Sequence, residues 1–347
     1  MTEPDTAKPV VVIPGDGIGP QVIEQALAVL DDLDLGLKFD VFDHVHASTY
    51  LAEGHPLSDA DLRTIRESAG VLLGAIGDPR VRTPDYARGV LLRLRFELDL
   101  YVNYRPVRLL QDRLSPVRDA GRRLIDCAVV RENTEGLYVG VGGVMHQHTE
   151  HETAVDVELS SYRGVTRVID FALKTARRGV CMVDKSNAVP NGGGLWQRCW
   201  AAARQRPEID RSHLYVDAAT ARLVQDPTAF DVIVTTNSYG DILSDLTAQL
   251  AGGLGLAPSA NLNPDTGLGL YEPVHGSAPD IAGTGSANPI GAILSAALML
   301  ERTGYATAAA AVRAAVSHSV AAWRCTPDIG GDLSTQQAGE AIRAALH

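Results

Sequence analysis

Cysteine is scarce in this chain, and basic residues are outnumbered. The four cysteines, Cys127, Cys181, Cys199 and Cys325, fall at no CxxC or zinc-type spacing. Neither a thiolate metal site nor a disulfide framework is therefore expected, and few scattered thiols suit a reducing compartment. Lysine and arginine total 31 against 42 aspartates and glutamates, a formal net charge of −11. That balance argues against a nucleic-acid partner, because binding phosphates needs a basic surface. It permits an anionic small molecule only if arginines are concentrated locally. Long apolar runs are missing too. The stretch "IGAILSAALML" is too short to cross a bilayer, and the start "MTEPDTAKP" is acidic and polar, unlike a secretory signal. The expectation is a cytoplasmic protein with no membrane partner. No internal repeat or low-complexity linker marks a domain boundary.

What the chain does have is 33 glycines, 45% hydrophobic residues and a repeated strand–turn–helix rhythm. "KPVVVIPGDGIGPQVIEQALAVLDDL" reads as strand, glycine turn and helix, and "KFDVFDHV" as a second strand. "LSDADLRTIRESAGVLLGAIGDP" reads as a helix followed by a buried strand. The alternation continues to "FDVIVTTNSYGDILSDL" and implies a largely parallel sheet with helices on both faces. From "GSANPIGAILSAALMLERTG" onward the pattern is mostly helical. One segment differs. "VGVGGVMHQHTEHETAVDVELS" alternates, is polar, and reads as a β arm over about 139–160 that projects and pairs with another subunit. Its His146, His148 and His151 have spacings that any exposed strand produces, so they make a weak metal signal.

Several polar groups stand at strand ends, where α/β proteins place ligands. In "LLRLRFELDLYVNYRP", Arg95 and Arg105 flank an apolar stretch, while Arg93 reads as a solvated surface charge. Arg131 follows the strand "DCAVV". Arginine stays charged and grips carboxylates with two prongs, so three of them suit a substrate with two carboxylates. Lys185 and Asn187 end "GVCMVDKSN", and Asp217 ends "HLYVDA". A desolvated lysine can act as a base, and Tyr138 in "RENTEGLYVG" can donate a proton. In "GDILSD", Asp241 and Asp245 are four residues apart on a helix expected to follow a turn at Gly240, beside an apolar stripe of Ile242, Leu246 and Leu250. Two readings stand. Acids at a helix start favour the dipole, whereas two like charges at this spacing suit a hard divalent cation. The opening "VVVIPGDGIGP" is a false lead to a Rossmann site. That fingerprint needs glycines at 15, 17 and 20, and this chain has Gly15, Gly17 and Gly19 followed by Pro20.

The segments "IPGDGIGP", "LLGAIGDP", "LRFELDLYVNYRP", "VVRENTEGLY", "DKSN", "VDAAT", "FDVIVTTNSYGDILSDL" and "EPVHGSAPDIAGTGSANP" occur in this order over nearly the whole chain. Together they resemble the β-decarboxylating dehydrogenases, the family of isocitrate, 3-isopropylmalate, homoisocitrate, tartrate and D-malate dehydrogenases. The resemblance implies an isopropylmalate dehydrogenase-like two-domain α/β/α sandwich, not a standard Rossmann fold, with the β arm clasping a partner. The first domain would comprise 1–100 and 253–347, and the second 101–252. It implies a homodimer with shared active sites and a dicarboxylic 2-hydroxy acid as substrate. Arg95, Arg105 and Arg131 then look like the carboxylate clamp, Tyr138 the acid, and Lys185 of a second subunit the base. Asp241 and Asp245, with Asp217 of that second subunit, look like ligands for Mg²⁺ or Mn²⁺.

His275, Gly276, Ser277, Ala278, Asp280 and Asn288 match the family's cofactor loop. Asp280 would accept from ribose hydroxyls and repel a 2′-phosphate, which implies NAD. Leu91 and Leu92, where isocitrate enzymes are polar, resemble 3-isopropylmalate dehydrogenases. "RENTEGLYVGVGG" and "PSANLNPD" look as much like the tartrate and D-malate branch, and Ser238 stands where the family is usually apolar. The implied activity is NAD-dependent oxidative decarboxylation of a 3-substituted malate. The alternatives are tartrate or D-malate oxidation, a related malate in a specialised pathway, a simple hydroxy-acid dehydrogenase, and a non-catalytic regulatory subunit.

Overall fold

Runs such as Val10–Ile13 and Gly70–Leu73 are buried on both sides, and β-branched residues favour the extended chain that such burial requires. In the computed structural model, which describes residues 8–204 and 206–346, these runs are strands of one ten-stranded sheet. The acidic start of the chain lies largely outside the described residues. The strands are β1 (Val10–Gly15), β2 (Phe39–Val41), β3 (Gly70–Ala75), β4 (Val102–Arg108), β5 (Asp126–Glu132), β6 (Gly142–Met145) and β7 (Thr153–Asp156). They continue with β8 (Gly179–Asp184), β9 (Asp210–Tyr215), β10 (Val232–Thr235), β11 (Pro258–Leu262) and β12 (Gly269–Pro273). The large sheet runs β2-β1-β3-β12-β11-β4-β5-β10-β8-β9. Both flanks are parallel, and the centre, β12 to β11 to β4 to β5, is antiparallel. After β12 the chain is helical, as expected.

The two faces of the sheet are filled differently, and the difference positions the site. Alternate residues of a strand point to opposite faces. Val10, Val12, Val130, Val180, Met182, Val232, Val234, Ala260 and Tyr271 join one continuous apolar core under helices Tyr162–Thr175 and Ile290–Arg302. Burying such a side chain contributes roughly 1.5–3 kcal/mol. On the other face the core is split in two. Val11, Ile13, Val71, Leu73 and Leu270 form one cluster; Val107, Val129, Cys181, Val183 and Ile233 form another. Between them, the same-face positions of the antiparallel centre are polar: Asn103, Arg105, Arg131, Ser259, Asn261 and Glu272, all buried.

Those buried polar groups are tied together. Asn103 Nδ2 donates to Ser259 Oγ at 2.9 Å and Asn261 Oδ1 at 3.0 Å, and Asn133 Nδ2 donates to the same Asn261 oxygen at 2.9 Å. Asn261 Nδ2 in turn donates to Glu272 Oε1 at 2.7 Å. A network of this kind replaces much of the water these groups leave behind, although Asn103 Oδ1 and Asn133 Oδ1 accept nothing among the described residues.

β6 and β7 make a separate antiparallel ribbon whose residues are all exposed. It falls inside the segment expected to be an arm. No helix among the described residues is long and apolar enough to cross a membrane.

Candidate active site

The helix that carries the two aspartates begins earlier than its sequence suggests. It spans Asn237–Leu250, so Asp241 and Asp245 lie beyond its first turn, which holds no acid. The helix-dipole reading of this pair therefore falls. Gly240 is a helical residue, not a turn, and its hydrogen side is where Arg131 packs. A Cβ there would lie 2.6 Å from the Arg131 Cβ. The apolar stripe is corrected as well. Ile242 is 63% exposed, and the buried face runs through Leu243, Thr247 and Leu250.

Arg131, on β5, is the centre of the cluster. Its Nε and Nη2 donate to Asn237 Oδ1 at 2.9 and 2.6 Å, and Nη1 donates to Asp241 Oδ1 at 2.5 Å. Arg105, on β4, donates from Nη1 to Ser244 Oγ at 2.7 Å and to Asp245 Oδ1 at 3.3 Å, and lies 3.5 Å from Asp241. Arg95, on the short helix Arg93–Glu97, donates to Glu272 Oε1 at 3.0 Å. The Tyr138 hydroxyl donates to Asp241 Oδ2 at 3.2 Å. Arg93 is no free surface charge, since it pairs with Asp59 and Glu97.

The electrostatics follow from this crowding. Burial lowers the pKa of Arg131 to about 9, helped by repulsion from Arg105 and Arg95. Burial lowers Arg105 too, partly offset by Asp241. Burial alone would raise Asp241, but the guanidiniums of Arg131 and Arg105 with the Tyr138 hydroxyl hold it below the ordinary carboxylate value. Asp245 moves the other way, because burial and the charge of Asp241 outweigh Arg105. Burial and Asp241 raise Tyr138, which keeps it protonated at neutral pH. The Nε of Arg95 and of Arg105 are buried with no hydrogen-bond partner among the described residues. An unpaired buried donor is costly, so these two atoms fit an anion that would accept from them.

Lys185 and Asp217 stand elsewhere. Lys185 follows β8, Asp217 opens the helix Val216–Gln225 after β9, and Lys185 Nζ donates to Asp217 Oδ1 at 2.5 Å. β10 separates β8 from β5, and β9 lies one strand further out, so at normal strand spacing Lys185 sits about 10 Å and Asp217 about 14 Å along the sheet from Arg131. The hydrogen bond from Lys185 lowers the Asp217 pKa. Among the described residues no group of three or more His, Cys, Asp or Glu side chains converges to hold a metal. One chain brings Asp241 and Asp245 together and leaves Asp217 apart. The donor chemistry of the first two, hard carboxylate oxygens on one helix face, fits a hard divalent cation. The arm histidines form no such group. Asn187 is exposed.

The cofactor-loop residues follow β12. His275 Nδ1 lies 2.9 Å from the Gly276 carbonyl oxygen, and its Nε2 is buried with no partner among the described residues. Burial holds this imidazole below its usual pKa, so with Nδ1–H donating to Gly276 the Nε2 lone pair fits a ligand donor. Ser277 meets the glycine turn of the N-terminal segment. Ile18 N–H donates to the Ser277 carbonyl at 2.9 Å, and at Gly17 (φ 58) a Cβ would lie 2.0 Å from that oxygen. The misleading glycines thus serve close packing against the loop. Ala278 adopts φ 38, Asp280 is exposed, and Asn288 donates to Asp328 Oδ2 at 3.0 Å.

Leu91 and Leu92 are half-buried in a π-helical turn, Arg88–Leu92, a distortion frequent at functional sites. Sequence reasoning missed that turn, and it missed Glu272, Ser244 and Asn237 as partners of the arginines. Asn237 carried a usable signal, since it stands four residues before Asp241 and shares its helix face.

Buried guanidiniums, a protonated tyrosine and two carboxylates in a break of the core define an enzyme site for an acidic substrate. The chain belongs to the isocitrate/isopropylmalate dehydrogenase family, which matches residues 9–342. It is a decarboxylating dehydrogenase. It is 45% identical over 340 residues to 3-isopropylmalate dehydrogenase of Nocardia farcinica, covering 96% of this chain and 99% of that one. It is 46% identical over 347 residues to the enzyme of the same name from Leifsonia xyli, covering 96% and 97%. Among solved structures, isocitrate dehydrogenase from Methylococcus capsulatus superposes with a TM-score of 0.88 at 35% identity, covering 98% of this chain and 99% of that one. A β-decarboxylating dehydrogenase from Thermococcus kodakarensis gives 0.80 at 37% identity, covering 98% and 96%.

Proposed function

We propose that this protein oxidises and decarboxylates 3-isopropylmalate to 4-methyl-2-oxopentanoate with NAD and Mg²⁺ or Mn²⁺, a cytoplasmic step of leucine biosynthesis. The observation that carries the reading is the convergence of Arg105 and Arg131 on Asp241, with Tyr138 on the same carboxylate and a free donor on both Arg95 and Arg105. The names of the relatives from Nocardia farcinica and Leifsonia xyli favour the isopropyl substituent, as do the apolar Leu91 and Leu92.

In this reading Arg95, Arg105 and Arg131 grip the two carboxylates and fix the malate for reaction. Lys185 takes the proton of the C2 hydroxyl, and NAD, when bound, would supply the hydride acceptor. Carbon dioxide then departs from C3, and Tyr138, protonated at neutral pH, returns a proton to that carbon. A bound divalent cation supplies Lewis-acid polarisation of the substrate oxygen. Asp241 and Asp245 would hold it, with Asp217 from a second subunit. Lys185 would arrive with that Asp217, because the two are already paired. This reading makes the protein a homodimer with shared sites, clasped through the ribbon 142–156. Residues 1–100 and 253–347 form the cofactor-side unit, with His275, Gly276, Ser277, Ala278, Asp280 and Asn288 toward NAD. Residues 101–252 form the second unit.

The test is NADH formation from 3-isopropylmalate, D-malate, tartrate and isocitrate with NAD and Mg²⁺ or Mn²⁺. The expected result is highest kcat/KM for 3-isopropylmalate. A preference for D-malate or tartrate would move the assignment to that branch, and silence on all four would remove the catalytic reading.

A further inference from the structure

Residues 98–101 lead the chain from the helix bearing Arg95 into β4. Asp99 takes the left-handed backbone at φ 48, an uncommon conformation for a residue with a side chain. Leu100 N–H donates back to the Arg95 carbonyl at 2.8 Å, so the turn is fixed directly to Arg95. The Asp99 carboxylate accepts both prongs of Arg167, at 2.6 and 2.7 Å. Arg167 belongs to the helix Tyr162–Thr175, and its Nη2 also donates to Thr134 Oγ1 at 3.0 Å. Its guanidinium carbon lies 3.9 Å from the centre of the Tyr101 ring.

Thr134 is no loose end. It lies three residues past Arg131, and its N–H and hydroxyl both donate to Glu132 Oε1, at 3.0 and 2.9 Å. Arg167 therefore bridges the turn that ends the Arg95 helix and the loop that continues the Arg131 strand. Arg95, Arg105 and Arg131 repel one another, a repulsion that Asp241 and Glu272 offset, so a tie between the segments that carry Arg95 and Arg131 helps to hold their spacing. Forked, two-point geometry of this kind is a property of arginine and not of lysine.

We propose that Arg167, by gripping Asp99 and Thr134 together, is a positioning residue that fixes the separation of Arg95 and Arg131 and so sets affinity for the dicarboxylate. The inference rests on those arginines being the carboxylate grip. Arg167→Lys keeps the charge and loses the fork. The expected result is a KM for 3-isopropylmalate raised about tenfold, with kcat and the KM for NAD within about twofold of wild type. A merely structural role would lower the active fraction, which reduces kcat and leaves KM unchanged; that outcome overturns the proposal. Should Arg167→Lys fail to fold, Asp99→Asn cuts the same bridge from its other side and is measured in the same way. Arg131→Lys is the control. If it leaves the KM for the acid unchanged, the grip reading itself falls and takes this proposal with it. If it raises that KM while Arg167→Lys does not, only the present proposal falls.

Discussion

The two groups of reactive side chains in this chain are built in opposite ways. Arg131 finds its partners in its own chain: the side chain is 2% exposed and bonded to Asn237 and Asp241. Lys185 pairs with Asp217 and lies 5.8 Å from the centre of the Tyr215 ring; its side chain is 25% exposed, and that of Asp217 is 69% exposed. A cluster that buries its charges must be completed locally, because an unpaired buried ion is costly. An exposed ion pair contributes little to stability, so such a pair can be held ready for another surface. In the proposed reading, the difference teaches that the arginine grip is assembled within one chain, whereas Lys185 and Asp217 form a separate pair whose carboxylate faces outward.

Removing the outward base should have the largest effect on turnover and almost none on folding. Lys185→Met should lower kcat by about 10³-fold or more while the melting temperature stays within about 2 °C. Near-normal turnover would remove the lysine from the chemistry. Next comes the cofactor. Asp280→Lys replaces a carboxylate suited to ribose hydroxyls with a cation suited to a 2′-phosphate. It should shift the NADP-to-NAD ratio of kcat/KM by about tenfold or more, and an unchanged ratio would count against the loop assignment.

Beside the arginines, the two partly exposed aspartates should differ in sign. Asp241 is held ionised by Arg131 and Arg105, so Asp241→Asn should cost the metal-free protein about 1–3 kcal/mol in denaturant unfolding. Asp245 is disfavoured as an anion by burial and by Asp241, so Asp245→Asn should stay within about 0.5 kcal/mol of wild type or stabilise slightly. Equal losses would break the contrast.

The smallest expected effect concerns the far end of the Lys185 strand. Burial alone would raise Asp231, but the N–H groups of Arg178, Gly179 and Arg177 and the Arg177 guanidinium hold it below the ordinary carboxylate value. A depressed folded pKa contributes stability that is present above the unfolded value, near 3.9, and is lost as pH falls through the folded one. Asp231→Asn should therefore flatten the loss of unfolding free energy below about pH 4.

Most of the fold was legible because alternation and glycine turns are local signals. Val10 to Ile13 announces a buried strand, and Gly15 to Gly19 its turn. Arg131, Asp241 and Tyr138 could be named because they stand at or just beyond strand ends. What the sequence hid is non-local. Nothing near Arg95 reveals Glu272, 177 residues away. The helix 237–250 starts before Gly240, and that glycine marks no turn: Arg131, from another strand, fills the space a larger residue would occupy. Ile242 looked like core because periodicity counts apolar residues, not what faces them; its side chain stands in the open.

Subunit mixing tests the central claim most directly. Lys185→Met and Tyr138→Phe enzymes, each inactive alone, are mixed in equal amounts and allowed to exchange, with exchange followed by native mass spectrometry. If the base is supplied across a dimer, each hybrid has one intact site of two, and random exchange restores about a quarter of wild-type activity. Hybrids formed without any gain in activity would contradict the account and return Lys185 to its own subunit's site.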